Sequence, residues 1–381
     1  MKKQRFSIIG VALVAMMLAS GNVSAGVHKH CLGKNLKFDG NSETLYYSPT
    51  SFPAGNWRDA LIESINQYNN NPGKFSYKLK QNDDLLSHAN FESEVWGSTD
   101  ISAPAYASHI PICYWFFGKH VWISAVDVVF NYKTPWRWTT THNKNNLWKY
   151  NGACSGTSGC RGIQGTALHE LGHGLHLAHE NDEYNIMGND FEHVHVNGDR
   201  ATFYLGEDAA DGAVHLYGND NSYQDLGVVH WKYDAANTTS EYSNHKRTQV
   251  YNSAGTSVVS RTWVDYQGDG NNDERHFKVS PGQSVKAEFT FENNGASTHK
   301  NVSVGYYLST NNYCTTWDTK LTSTTMTLGR ADVYTYKKGM TIPSTVTVGQ
   351  NYWLCAIVDD NGAIAEAWEG NNATWLPLRI Q

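Results

Sequence analysis

The chain has 381 residues, 40% hydrophobic and 17% charged, enough apolar material for two or three buried cores and too much for a disordered chain. Its 30 lysines and arginines face 36 acids for a formal charge of -6, and with the first 25 residues set aside the balance is 27 against 36. So acidic a chain disfavours a nucleic-acid partner.

In chain order, Lys2, Lys3 and Arg5 precede an apolar run from Phe6 to Ala19, and Val23-Ser24-Ala25 follows it. A basic, apolar and small-residue succession of this kind predicts a cleavable secretory leader over residues 1–25, with the mature chain starting at Gly26. The apolar run falls short of the roughly 20 residues a bilayer span needs, and no later segment is long and apolar enough, so no transmembrane segment is expected in the mature, secreted chain. Six cysteines in an exported protein are expected to form disulfides. Cys154 with Cys160, across a flexible Ser-Gly stretch, is the simplest pairing, followed by Cys314 with Cys355 and Cys31 with Cys113.

From Trp57 to Tyr68, Ala60, Leu61, Ile65 and Tyr68 recur at helical spacing, with Asn56 as the cap and Pro72-Gly73 as the stop. Val121-Trp122-Ile123 and Val128-Val129-Phe130 read as strands. Thr166 to Leu177 carries Leu168, Leu171 and Leu175 on one helical face, and a third helical pattern runs from Glu207 to Leu216, with Gly218 as its stop. Beyond Asn219 the composition turns to Ser, Thr, Asn, Val and Tyr. Alternating runs such as Val285 to Phe291, broken by Asn293-Asn294-Gly295, predict a β-sandwich. The expected organisation is a leader at 1–25, a first domain at 26–218, a linker or extra strands at 219–264, and a sandwich at 265–381.

The second predicted helix carries the chemistry. His169-Glu170-Leu171-Gly172-His173 sets two imidazoles four residues apart, about 40° around a helix and ~6 Å along it, so both can reach one ion while Glu170 stands beside it. A zinc ion with three protein ligands keeps one position open for water and lowers its pKa to about 7, and a nearby carboxylate can then take the proton. That is the chemistry of peptide-bond hydrolysis.

The longer run from His169 to His179, followed by Ile186-Met187-Gly188, resembles the metzincin zinc peptidases, with a His-to-Met interval most similar to the matrixin branch. The resemblance covers residues 40–218. It implies an α+β catalytic domain, a twisted mixed sheet with an active-site helix, zinc held by His169, His173 and His179, and Glu170 as general base. It also implies Met187 in a tight turn beneath the metal, Glu207 to Gly218 as the closing helix, and a protein or peptide substrate that adds as a strand to a sheet edge between Ser102 and Trp122. The chain departs from the family at His176, which stands where the pattern has a glycine in a left-handed turn. His176 is therefore a rival third ligand, although on a continuous helix it would lie about 10 Å along the axis from His169.

Smaller features read more plainly. His193 and His195 alternate with Val194 and Val196 as one face of a strand, and Glu180, Asp182 and Glu183 read as a solvated loop. Asp269 to Glu274 has a calcium-like composition without a full motif. Val358-Asp359-Asp360-Asn361-Gly362, Glu366, Glu369 and Asn371-Asn372, together with the upstream Asn293-Asn294-Gly295, Tyr307-Leu308-Ser309 and Ile342-Pro343, resemble the CARDB family of bacterial adhesion-related domains. That resemblance implies an immunoglobulin-like sandwich over residues 265–381 with a binding or spacer role toward a surface or host partner, its acids and amides serving as turn formers. The expectation is thus a secreted zinc-dependent endopeptidase. A noncatalytic secreted adhesin with a structural zinc site is the alternative, and a zinc amidase acting on peptidoglycan is a third reading.

Overall fold

The computed structural model describes residues 30–82, 86–88, 90–115, 118–133, 137–139, 160–180, 184–188, 193–199, 201–233, 245–264 and 274–381. The expected leader, the Cys154–Cys160 pair, Asp182, Glu183 and most of the acidic run from Asp269 lie outside the described residues.

The first part of the chain is built on a five-stranded mixed sheet. In spatial order its strands are Ser76–Gln81, Ser42–Tyr47, Ser93–Ser98, Lys119–Asn131 and Ala105–Trp115. The first four run parallel, and Ala105–Trp115 closes the edge antiparallel to Lys119–Asn131. The two apolar pieces expected near 121 and 128 are one strand, in which Val126, Val128, Val129 and Phe130 are all buried. Burial on both faces is what turns strict alternation into a continuous apolar run.

Three helices accompany the sheet: α1 (Asn56–Asn69), α2 (Ile163–Gly174) and α3 (Glu207–Tyr217). Helix α1 makes the crossover between two parallel strands and buries Ala60, Leu61, Ser64, Ile65 and Tyr68, the one-sided stripe that an amphipathic helix shows a sheet. Asn56, expected as its cap, is its first helical residue, and Gly55 with φ 100 precedes it. Helix α3 ends where Gly218 adopts φ 84, a left-handed conformation that glycine adopts at little cost.

Residues beyond α3 form a β-sandwich. One sheet pairs Ser284–Asn293 with Leu226–Val229, Val250–Asn252 and Val333–Thr341. The other has six strands in the order Arg261–Val264, Glu274–Val279, Ala373–Ile380, Asn351–Val358, His299–Ser309 and Thr319–Leu328. Phe277, Phe289, Phe291, Tyr306, Leu354 and Leu376 fill the space between the sheets. The stretch 219–264 therefore supplies strands to the sandwich as well as connections.

The outer face of the six-stranded sheet is also covered. Along Asn351–Val358, Leu354, Ala356 and Val358 point into the sandwich, whereas Trp353, Cys355 and Ile357 join the hydrophobic cluster that holds Tyr184, Val194, Val196 and Tyr204 of the first part. Period-two alternation sends successive side chains to opposite faces, so one strand serves two cores. Polar contacts reinforce the junction: His195 Nε2 bonds Ala373 O at 2.7 Å, Thr374 Oγ1 donates to Val196 O at 2.8 Å, and Arg330 pairs with Asp211.

The fold class expected from the sequence, an α+β metzincin-like catalytic domain followed by an all-β immunoglobulin-like sandwich, keeps its sandwich and is corrected in its α+β part by this architecture. Strands make up 47% of the described residues and the α-helices number three, so the described chain is predominantly β. The physical reason is that local helical spacing marks α1, α2 and α3 strongly, while the many short strands between and after them become visible only when they pair.

Two expected disulfides are present, Cys31–Cys113 and Cys314–Cys355. Among the described residues, no helix is long and apolar enough to cross a membrane.

Candidate metal centre

Helix α2 is buried along almost its whole length, with Leu168 and Leu171 in the main core. His169 and His173 sit one turn apart on it. The helix stops at Gly174, three residues earlier than the apolar spacing predicts, and the way it stops decides the site. His176 takes φ 63, its N–H bonds the His173 carbonyl at 2.7 Å, and the Leu177 N–H reaches back to the Gly172 carbonyl at 3.1 Å. These two bonds, with a left-handed residue between them, form a Schellman ending. Histidine therefore takes the backbone conformation that glycine would adopt more cheaply, at a cost of order 1 kcal/mol.

The turn reverses the chain and brings His179 back over the helix. Its Nε2 lies 3.1 Å from His169 Nε2 and 3.2 Å from His173 Nε2. His176 stacks instead on His109, ring centroids 3.7 Å apart. Among the described residues, His169, His173 and His179 are the group whose ligand atoms all lie within 4.8 Å of one another.

The other ring nitrogens are engaged. His169 Nδ1 bonds the Ile186 carbonyl at 2.8 Å and His173 Nδ1 bonds the Leu177 carbonyl at 2.7 Å. A carbonyl acceptor requires the proton on Nδ1, which leaves Nε2 unprotonated and directed at the common point. The segment holding Ile186 is pinned in turn: Asn185 Oδ1 accepts from the Met187 N–H at 2.7 Å, and the Glu180 N–H donates to the Met187 carbonyl at 3.0 Å. Met187 is buried, and its sulfur lies 2.3 Å from where a Cβ on Gly172 would stand. No side chain fits at 172 without moving Met187.

Glu170 points into a cleft of about 420 Å³ that is also lined by Tyr106, Ala107, His109 and the three histidines. Burial pushes its carboxyl up to about 8, while a hydrogen bond from the Ala107 backbone acts in the opposite direction. That bond ties the acid to the strand Ala105–Trp115, whose outer edge pairs with no other strand among the described residues. His109 on the same strand reaches the His173 carbonyl at 2.5 Å. Neither Ala107 nor His109 stands out in the sequence, because strand spacing carries no information about a helix that lies opposite.

Three imidazole nitrogens fit a tetrahedral ion: ligands at 2.0–2.1 Å from a centre lie about 3.3 Å from one another, close to the spacing of His179 from its two partners. The donor set is one that zinc favours, and the fourth direction opens on the cleft.

No protein-family model and no curated protein matches the chain. Among solved structures it is similar to the CARDB domain of the PF1109 protein from Pyrococcus furiosus, determined in complex with di-metal ions, at 14% identity over 42% of this chain and 90% of that one, TM-score 0.24. A putative cell surface protein domain from Methanosarcina acetivorans is 18% identical over 27% of this chain and 82% of its own, TM-score 0.21. Wild-type OgpA from Akkermansia muciniphila is 9% identical over 90% of this chain and 93% of its own, TM-score 0.20. None of the three is named as a metzincin. The β-sandwich is established directly by the strand pairing, and the metzincin expectation gains nothing from these likenesses.

Proposed function

We propose that the chain is a secreted zinc-dependent endopeptidase, with zinc on His169, His173 and His179 and Glu170 as general base. The observation that carries the reading is the convergence of three Nε2 atoms beside a buried carboxylate and an unpaired strand edge, all facing one cleft. Bound there, zinc would lower the pKa of a coordinated water to about 7 and polarise a substrate carbonyl.

The chain's own groups supply the rest. An extended peptide adds along Ala105–Trp115, where backbone hydrogen bonds orient it independently of its side chains. Glu170 Oε takes a proton as the carbonyl is attacked and returns it to the leaving amine. The Ala107 N–H holds Glu170 in register with the same strand that receives the substrate. The sandwich serves as a module that engages a surface partner, and the leader-like start together with two disulfides supports secretion.

A noncatalytic binding protein with a structural zinc is the competing reading. Structural zinc sites are closed by four protein ligands, whereas among the described residues three converge here with a carboxylate alongside, which favours catalysis.

The test is cleavage of a denatured mixed-protein substrate by the purified mature chain, with and without a chelator, beside Glu170→Ala. Chelator-sensitive cleavage that disappears in the variant is the expected result. No cleavage despite stoichiometric zinc would favour the binding-protein reading, and release of products from cell walls alone would favour an amidase.

A further inference from the structure

We propose that a second, all-oxygen cation site, built for calcium, lies at the base of the sandwich, with its ligands drawn from Asp225, Glu292, Asn294, Glu366 and Asn371. It does not depend on the peptidase reading, and it revises the expectation that Asn294, Glu366 and Asn371 merely shape turns.

Four segments bring the groups together. Asp225 directly precedes the strand Leu226–Val229. Glu292 and Asn294 stand where Ser284–Asn293 ends, Glu366 lies in the following C-terminal loop, and Asn371 belongs to the short 3-10 turn Glu369–Asn371. Gly227 lies directly against the cluster. A Cβ there would lie 3.3 Å from Asn371 Nδ2, 3.5 Å from Asn294 Nδ2 and 3.7 Å from Glu292 Oε2.

These groups are buried and incompletely satisfied. Glu292 and Asn371 are 0% exposed, Asp225 3% and Asn294 4%. Glu292 Oε1, Asn371 Oδ1 and both polar atoms of Asn294 have no hydrogen-bond partner. Asn294 does lie near enough to Asp225 to favour its charged form, but without a bond of normal geometry. An unpaired buried polar group costs roughly 1–3 kcal/mol, and several at one place call for a missing partner.

That partner must be a cation. Burial, and after it the charges of Glu366 and Glu292, hold the Asp225 carboxyl well above the usual carboxylate range. Burial likewise pushes Glu366 up to about 8. Yet the carboxylate oxygens face donors, as charged acids do. Asn371 Nδ2 donates to both oxygens of Asp225 at 3.3 Å, Asn372 Nδ2 donates to Glu366 Oε1 at 3.0 Å, and the Leu226 N–H donates to Glu366 Oε2. His193 and Tyr204 hold Glu292 Oε2 at 3.1 and 2.8 Å, which leaves Oε1 for the cluster. Buried anions in this state pair with a cation or coordinate one. Carboxylate and amide oxygens without a nitrogen or sulfur donor select a hard ion, and the irregular arrangement from four segments suits the flexible coordination of calcium over the strict octahedron of magnesium. The three carboxylates do not close on one point as the histidines do, so the amide oxygens of Asn294 and Asn371 belong to the donor set.

The experiment uses the full mature chain loaded with zinc. Terbium(III) serves as a luminescent calcium probe, sensitised by Trp368, whose ring lies 5.4 Å from that of Tyr204, the residue bonded to Glu292. Sensitised terbium emission that CaCl2 displaces and equimolar ZnCl2 does not is expected, together with one calcium per chain by calorimetry and a raised Tm. Asp225→Asn and Glu366→Gln should each weaken calcium binding roughly tenfold or more. Gly227→Ala, whose added methyl occupies the cradle, should do the same while leaving zinc content and near-UV circular dichroism unchanged. The proposal fails if millimolar CaCl2 produces no heat and no displacement, if zinc competes, or if Gly227→Ala folds and binds calcium as tightly as the parent chain.

Discussion

Gly172→Ala tests the link between helix packing and the metal centre. On propensity alone, alanine in place of glycine inside a helix should stabilise by about 1 kcal/mol. Here the new Cβ would sit 2.3 Å from Met187 Sδ and 3.2 Å from its Cε, with Met187 only 1% exposed. Overpacking of that kind costs roughly 1–3 kcal/mol, so the net change is a loss of up to about 2 kcal/mol. The displaced segment is the one whose Ile186 carbonyl fixes His169 Nδ1 at 2.8 Å, and disturbing such a partner lowers metal affinity roughly 10–100-fold. The assay is a chemical denaturation curve alongside zinc affinity measured against a competing chelator. A variant that gains stability and binds zinc unchanged would show that the turn around Met187 neither packs on nor supports the ligand helix.

Burial pushes His195 down to about 4, so it is neutral in the folded chain, whereas an unfolded histidine takes up a proton near 6.5. Between these values the unfolded state binds more protons, and stability must fall as pH drops from about 6.5 toward 4, by roughly 2 kcal/mol between pH 7 and 5 from this group. Denaturant midpoints at the two pH values should therefore lie closer together in His195→Gln than in the parent, and equal spacing would refute the assignment. Replacing both Cys314 and Cys355 by serine opens a loop of 41 residues and should cost about 4 kcal/mol on the chain-entropy model, read as a lower Tm under non-reducing conditions. His176→Gly relieves about 1 kcal/mol of left-handed strain but removes a buried ring from His109. Its expected signature is an unchanged zinc stoichiometry, because His179 and not His176 joins the cluster of His169 and His173; loss of one zinc per chain would identify His176 as the ligand.

Legibility followed the range of the interactions involved. The spacing of Ala60, Leu61, Ile65 and Tyr68 marked α1 to within a residue or two, and the onset of α3 at Glu207 was read directly, because amphipathic stripes are local. The end of α2 is hidden from the sequence, since Leu175 and Leu177 continue an apolar pattern past Gly174, where the helix breaks. The strand Lys119–Asn131 was read as two fragments for a related reason: residues buried on both faces lose the alternation by which a strand is recognised. Glu366 and Asn371 read as turn formers and Asp225 carries no local signal at all, because nothing local distinguishes an exposed acid from a buried one.

The sequence by itself determined that His169, Glu170 and His173 share a helix and that the C-terminal part is a sandwich, because each rests on spacing or alternation within one segment, whereas the pairings Cys31–Cys113 and Cys314–Cys355 join residues 82 and 41 positions apart and were settled by the fold. Tertiary structure alone decided which of His176 and His179 completes the cluster, through a backbone reversal held by the Gly172 and His173 carbonyls. It also decided that the strand Asn351–Val358 feeds two cores at once, and that acids from distant segments meet around Gly227. Contacts of this kind join residues far apart in the chain, and their energy exists only once the elements have packed.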